Sequence, residues 1–311
     1  MLVRVGADTP RLDYVDLAKR LGARLVDAAV ADGVLYRVVG RLDRRARFAL
    51  GHALAARPLV RSARVILSMS EDVGVPLALL LAARPNRAVR HILIAHSLLS
   101  PAKLRLYRAL RVMPRFDQVL VMDRDAPAAI ARAYGLPPER VAYLPNGVDR
   151  SFWRPDAIDA DSPLPDPARA ISIGRARRDY PTLLEAVAGT SIQLDLHASS
   201  QWPVAYRAAL AAMPANVALT TAFQPATELR DRIGRAAFAV VPLQRHAHAS
   251  AGSVTILQAM AMAKPVVLAV EGATSSLVEH GVTGLVVPAG DAPALRDAML
   301  RLASSPNLAR E

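Results

Sequence analysis

The sequence predicts an α/β fold made of two parallel-sheet halves. Three observations carry this. Short apolar, β-branched runs alternate with Ala/Leu/Arg-rich helical runs along the chain. A stretch rich in Pro and Asp and without periodicity, residues 154–169 (RPDAIDADSPLPDPAR), interrupts the alternation near the middle. Beyond it the alternation restarts with an apolar strand, Ala170–Ile173. With 311 residues, 52% of them hydrophobic, the chain is long enough to bury two cores of ordinary size. The boundaries that follow are 1–150 for a first domain, 151–169 for a linker and 170–311 for a second domain.

In the first half, strands are expected near Val3–Gly6, Val65–Met69, Ile92–Ala95, Gln118–Met122 and Val141–Leu144. Each is a short apolar run bounded by turn or charged residues. Helices are expected near Tyr14–Leu21, Asp43–Ala56, Val75–Ala83, Ala102–Arg111 and Ala126–Tyr134. In the second half, strands are expected near Ala170–Ile173, Ile192–Leu196, Val217–Leu219, Phe238–Val241 and Val266–Val270.

Composition excludes several classes. There is no cysteine, hence no disulfide framework, thiolate metal site or thiol nucleophile. The start, MLVRVGADTPRLDYVD, has acidic residues where a signal peptide is apolar, and no apolar run approaches membrane-span length. A cytoplasmic protein is the simplest reading. The formal net charge is +12, nearly all from arginine, since Lys19, Lys103 and Lys264 are the only lysines. Such charge attracts phosphates or anionic lipid. Nucleic acid is not expected as a partner, because the arginines are scattered and few aromatics lie among them.

The most informative stretch is 242–270, PLQRHAHASAGSVTILQAMAMAKPVVLAV. A strand ends in Pro242, a His-rich loop follows, Ala251-Gly252-Ser253 opens a helix, and Lys264-Pro265 leads into the next strand. A helix start offers unpaired N–H groups and the positive end of a dipole, which suits a phosphate. Glycine at Gly252 lets a ligand approach the backbone. Two histidines two apart, His246 and His248, have no carboxylate at metal-ligand spacing beside them, so no metal is expected there. Residues 141–149, VAYLPNGVD, are a strand entering a Pro-Asn-Gly turn.

This pair of segments, roughly a hundred residues apart, resembles the family 4 glycosyltransferases of the GT-B fold over residues 115–300. There "PNGVD" enters the second Rossmann-like domain, and "E-G-F-G-x-x-x-x-E-A-M-A-x-G-K-P-V-V" binds the donor nucleotide sugar. The resemblance implies two Rossmann-like domains facing a cleft, with ligands at the carboxyl ends of parallel strands. It implies transfer of a sugar from a nucleotide-diphosphate sugar to a hydroxyl of a glycan or lipid-linked acceptor, with retention and without metal or cofactor. An inactive relative serving as partner or sugar-binding subunit is the alternative. The chain departs from the family at its ends. No Gly-Gly loop follows the first strand, and the chain stops at SSPNLARE where the family continues into final helices.

Residue by residue, Gly174 and Arg175 match the family's G-R at the end of the first strand of the second domain. Arg178 takes the family's lysine position and keeps its charge. Arginine there can grip a diphosphate bidentately and stabilise the departing negative charge. The family's paired glutamates fall on Ser250 and Gln258, eight positions apart. Gln258 retains an amide for ribose hydroxyls, whereas Ser250 is shorter and neutral. Ser253 and Val254 supply helix N-terminal amides, and Thr255 adds a hydroxyl.

In the first domain, His96 matches a histidine that ends a strand and faces the donor sugar. A buried histidine satisfied by a carbonyl is the other reading. Glu71 and Asp72 stand at a strand end, as acceptor-side base or ligands, or as acids at a helix N-terminus. Residues 101–116, PAKLRLYRALRVMPRF, read as a basic amphipathic helix. It is either an ordinary surface helix or one that docks on anionic lipid, peripheral at the inner face of a membrane.

Overall fold

The computed structural model describes residues 9–26, 49–82, 89–158, 166–174, 177–198, 213–247, 251–273 and 275–305. The chain divides into two compact units, Leu12–Pro145 and Asn146–Glu311, with Arg11 belonging to the second. The expected strand Val3–Gly6 and the first part of the expected helix Asp43–Ala56 lie outside the described residues.

Among the described residues the first unit holds a four-stranded parallel sheet in sequence order: β1 (Val65–Ser68), β2 (Arg90–Ala95), β3 (Gln118–Val121) and β4 (Val141–Tyr143). Its helices are α1 (Asp13–Leu21), α2 (Leu50–Ala56), α3 (Glu71–Ala82), α4 (Pro101–Ala109) and α5 (Ala126–Tyr134). The core is built by Leu93, Val119 and Val121 from the strands against Val75, Tyr107 and Ile130 from the helices. α3 begins four residues before the expected Val75, so Glu71 and Asp72 form its first turn rather than a loop. Pro76 lies inside this helix. It has no N–H to give to the carbonyl of Asp72 four residues back. That carbonyl instead accepts from the N–H of Ala49, at 2.9 Å, at the start of α2. Gly74 is required by proximity, because a Cβ there would lie 2.7 Å from Leu93 Cδ1.

Among the described residues the second unit holds a six-stranded parallel sheet in the order β10-β9-β8-β5-β6-β7. Its strands are β5 (Asp166–Ile173), β6 (Gln193–His197), β7 (Val217–Thr220), β8 (Ala236–Pro242), β9 (Val266–Val270) and β10 (Gly284–Pro288). The helices are α6 (Tyr180–Val187), α7 (Ala226–Arg235), α8 (Ser253–Ala261) and α9 (Ala292–Ser304). Central strands such as β8 and β9 are buried on both faces, which explains their near-continuous apolar sequence. One face packs against α6 and α9 through Leu183 and Leu295, the other against α7 and α8 through Ile233 and Ile256.

Two boundaries differ from the composition-based reading. The second unit already includes Asn146, and Phe152 and Trp153, inside the expected linker, are buried in its core, packed edge-to-face at 5.1 Å. Asp166–Arg169, also expected as linker, extend β5 at its amino end. Asp149 of the PNGVD turn ties two stretches of the second unit together. Its carboxylate accepts from Arg11 N, Nε and Nη2 and from Ser151 N and Oγ. The hydrogen bonds from Arg11, joined by those from Ser151, hold it well below the usual carboxylate range.

Candidate active site of the second unit

The chain runs from β5 outward through β6 and β7, then returns to build β8, β9 and β10 on the other side of β5. The order of the sheet therefore reverses between β5 and β8. In open parallel sheets the carboxyl ends of strands at such a switch point form the natural ligand crevice. Here those ends are Ile173-Gly174 and Pro242-Leu243.

The loop after β5 is stitched to the exit of β8. Asp179 N–H donates to Pro242 O at 2.8 Å, Gln244 N–H donates to Arg177 O at 2.9 Å, and Arg178 bridges to Leu243. This draws Arg178 inward. Its side chain is buried, Nε donates to Ile173 O at 3.2 Å, and Nη2 donates to Thr255 Oγ1 at 3.2 Å. Burial lowers its pKa, though a guanidinium stays charged. Gly174 makes this possible twice over. Its φ of 148° disfavours other residues, and a Cβ would stand 2.5 Å from Arg178 Nε. Tyr180 Oη donates to Gly174 O at 2.6 Å and closes the turn.

Gly252 caps α8 with φ 83° and no side-chain hydrogen bond. A Cβ there would lie 2.9 Å from Val241 Cγ1 and 3.6 Å from Arg178 Nη1. The first turn of α8 thus sits against the guanidinium, and a helix N-terminus and a cation converge. Ser253 and Thr255 are buried in this first turn, Val254 is exposed, and Gln258 is half-buried one turn on. Arg175 and Ser250 lie outside the described residues, as does His248. His246 is exposed. Its backbone N–H donates to Glu271 Oε2 at 2.7 Å, and its Nδ1 lies 3.2 Å from the same oxygen.

His197 closes β6. It is buried with both ring nitrogens lacking a partner among the described residues, and burial lowers its pKa. Its signal in the sequence was a polar residue closing an otherwise alternating strand.

In the first unit, Glu71 and His96 do come together. Glu71 is buried and accepts from His96 N at 2.9 Å, Ser97 N at 3.1 Å, Ser97 Oγ at 3.0 Å and Lys103 Nζ at 2.7 Å. Burial pushes its pKa up, but the bonds from Lys103 and His96 outweigh it and bring the value to about 2. A buried carboxylate so occupied is an anchor for the loop after β2. It is ill suited to take a proton at neutral pH, which corrects the expectation of a base at Glu71. The ring of His96 is exposed, and its Nε2 lies 3.1 Å from Met69 O. Donation to that carbonyl leaves Nδ1 as the acceptor of the neutral ring. Asp72 is in the first turn of α3, where burial raises its pKa. Among the described residues no group of three or more His, Cys, Asp or Glu is placed to hold a metal ion.

Two family models match. The first, Glycosyltransferase Family 4, covers residues 15–152. The second, Glycosyl transferases group 1, covers residues 171–305. Together they take in most of both units.

The chain belongs to the group 1 glycosyltransferases.

Solved glycosyltransferase structures share its fold. Sucrose-phosphate synthase from Thermosynechococcus elongatus is 21% identical, with a TM-score of 0.64 over 84% of this chain and 70% of that one. Anabaena HepE in complex with UDP-glucose is 17% identical, with a TM-score of 0.65 over 82% and 74%. A glycosyltransferase from Rickettsia africae is 11% identical, with a TM-score of 0.61 over 96% and 80%. No curated protein matches significantly. As a group 1 glycosyltransferase of the GT-B class, resembling family 4, the chain has the two Rossmann-like units that its motifs implied. No described helix is long and apolar enough to cross a membrane.

Proposed function

We propose that the second unit of this glycosyltransferase binds a nucleotide-diphosphate sugar, with the diphosphate over Arg178 and the first turn of α8. The observation that carries this is the convergence of a buried guanidinium and a helix N-terminus without a side-chain cap at the switch point of the sheet. Gln258, one turn further, takes the ribose hydroxyls. HepE, solved with UDP-glucose, is a structural relative whose bound ligand fits this reading.

The reaction follows from that placement. The bond between the anomeric carbon and the diphosphate oxygen breaks. A new bond forms from an acceptor hydroxyl oxygen to the same carbon. The acceptor proton passes to the departing diphosphate on the same face, which retains the configuration. The fixed charge of Arg178 and the α8 amides stabilise the leaving group as its charge grows, so no metal or other cofactor is invoked. The acceptor is a glycan or a lipid-linked hydroxyl compound. His96, exposed at the end of β2, is its candidate contact on the first unit.

A thermal-shift screen against UDP, GDP, ADP, CMP and dTDP tests the donor site. A ligand that binds only the native state stabilises it, by about 2.7 kcal/mol at a hundred times its Kd. One nucleoside diphosphate should stabilise the wild type and not Arg178→Ala. No shift with any of them would sink the proposal. Ser250 and Gln258, standing where the family has glutamates, favour a second reading: a subunit that binds the donor without transfer. Binding with no release of nucleoside diphosphate from the sugar, across acceptors, would establish that reading instead.

A further inference from the structure

The carboxyl ends of β8, β9 and β10 lie side by side, Pro242 paired with Ala269 and Val270 with Pro288. The loops that leave them bring two charged side chains together. Past β8, Arg245 lays its guanidinium over Gly290 of the loop after β10, where a Cβ would stand 2.8 Å from Nε. Past β9, Glu271 meets the same β8 loop. Its Oε2 accepts from His246 N–H at 2.7 Å and lies 3.2 Å from His246 Nδ1.

The two charges do not close on each other. Arg245 is exposed and pairs with no carboxylate among the described residues. The Glu271 side chain is 51% exposed, and both of its contacts use Oε2, so Oε1 keeps no partner among the described residues. An ordinary surface pair would have neutralised itself. Here the guanidinium is held by a glycine and the carboxylate by a backbone amide, which leaves a donor and an acceptor free within one small loop cluster.

That cluster adjoins the diphosphate seat. Leu243 bridges Arg178, and its Cδ2 lies 3.4 Å from where a Cβ on Gly252 would stand. Arg245 and His246 follow two and three residues later, no more than about 10 Å of chain. Neither Arg245 nor Glu271 takes part in the diphosphate seat itself.

We infer that Arg245 and Glu271 hold the sugar of the donor, an uncharged hexosyl group with neighbouring free hydroxyls. A hydroxyl both donates and accepts, whereas a guanidinium only donates and an ionised carboxylate only accepts. One of each satisfies a pair of adjacent hydroxyls, and bonds to charged partners are the stronger kind. This rests on the donor reading above and deepens it, since it assigns the sugar to the exits of β8 and β9 rather than to α8.

Calorimetric titration of the full chain with UDP-glucose, UDP-galactose, GDP-mannose, ADP-glucose and dTDP-glucose, each beside its free diphosphate, tests it. Glu271→Gln and Arg245→Met should each weaken the sugar nucleotide that the wild type prefers by about tenfold or more. The free diphosphate should change by no more than about twofold, as for an ordinary surface substitution. Gly290→Ala, which displaces the guanidinium and keeps its charge, should reproduce Arg245→Met. Equal losses for sugar nucleotide and diphosphate would mean that these residues only support the loop, and would overturn the proposal. So would unchanged affinity for both. Either outcome leaves the donor reading standing, because the wild type still binds the diphosphate. Failure of the wild type to bind any diphosphate is the separate result that removes the donor reading, and the sugar seat with it.

Discussion

Gly174 and Arg178 act as one feature. The glycine vacates the volume that the guanidinium fills, and its φ of 148° sets the turn that brings the arginine back under the sheet edge. Gly174→Ala is therefore expected to displace Arg178 without touching its charge. Nucleoside diphosphate affinity should fall for Gly174→Ala by a factor comparable to that for Arg178→Ala, and combining the two should add little. Fully additive losses in a calorimetric titration would show that the two residues act separately. The charge of Arg178 at this place was legible from its strand-end position, but its burial was not. Burial depends on the pairing of its loop with the exit of β8, which is distant in sequence. Glu71 gives the reverse case. A carboxylate after a strand looks available in the sequence, and only the return of Lys103 and the 96–97 backbone shows that it is occupied.

At the scale of elements, the sequence reading was most faithful where local signals agree. α5 runs Ala126–Tyr134 as expected, because an Ala-rich run starts with a proline near its first turn and stops at Gly135 in the left-handed conformation. β9 runs Val266–Val270 as expected, because a β-branched run follows Lys264-Pro265. α3 starts four residues earlier than expected and carries Pro76, a residue at home in a first turn, inside it. The compensating bond from Ala49 is tertiary and leaves no local trace. The tie between α3 and α4 carries a prediction. Lys103→Met leaves the buried Glu71 carboxylate with its hydrogen bonds from His96 and Ser97 but without the cation against it, and removing one partner of such a pair costs up to about 3–5 kcal/mol. Urea denaturation of the variant should show that loss in the first unit. A change within about 0.5 kcal/mol, the range of ordinary surface substitutions, would contradict the anchoring role.

Across the whole molecule, buried imidazoles make both units sensitive to acid. His91 is packed against Phe116 with its Nε2 2.9 Å from Ser68 Oγ, and burial, partly offset by Asp117, brings its pKa down to about 4. In the unfolded chain it titrates near 6.5. Between those values the unfolded state binds the extra proton, so stability present above about pH 6.5 is lost as pH falls toward 4, by about 3 kcal/mol in full. Glu71 extends the loss, because a carboxyl held near 2 forfeits its contribution as pH falls from about 4.5 toward that value. His197, also lowered by burial, gives the second unit a slope of the same sign. Hydrogen exchange of β2 amides should quicken between pH 6.5 and 4 once corrected for the intrinsic rate, and His91→Gln should flatten the change. Equal protection across that range in the wild type would refute it.

The reversal of strand order at β5 and β8 has a mechanical corollary. Arg178 comes from the part of the second unit that builds β5, β6 and β7, whereas Gly252 and Thr255 come from the part that builds β8, β9 and β10. A nucleotide seated against both is a non-covalent clasp between two stretches of chain that share one sheet through a single seam. Fraying on either side of that seam releases the clasp. If the proposed nucleotide binds there, its occupancy is coupled to the seam between β5 and β8 rather than to the stiffness of one loop.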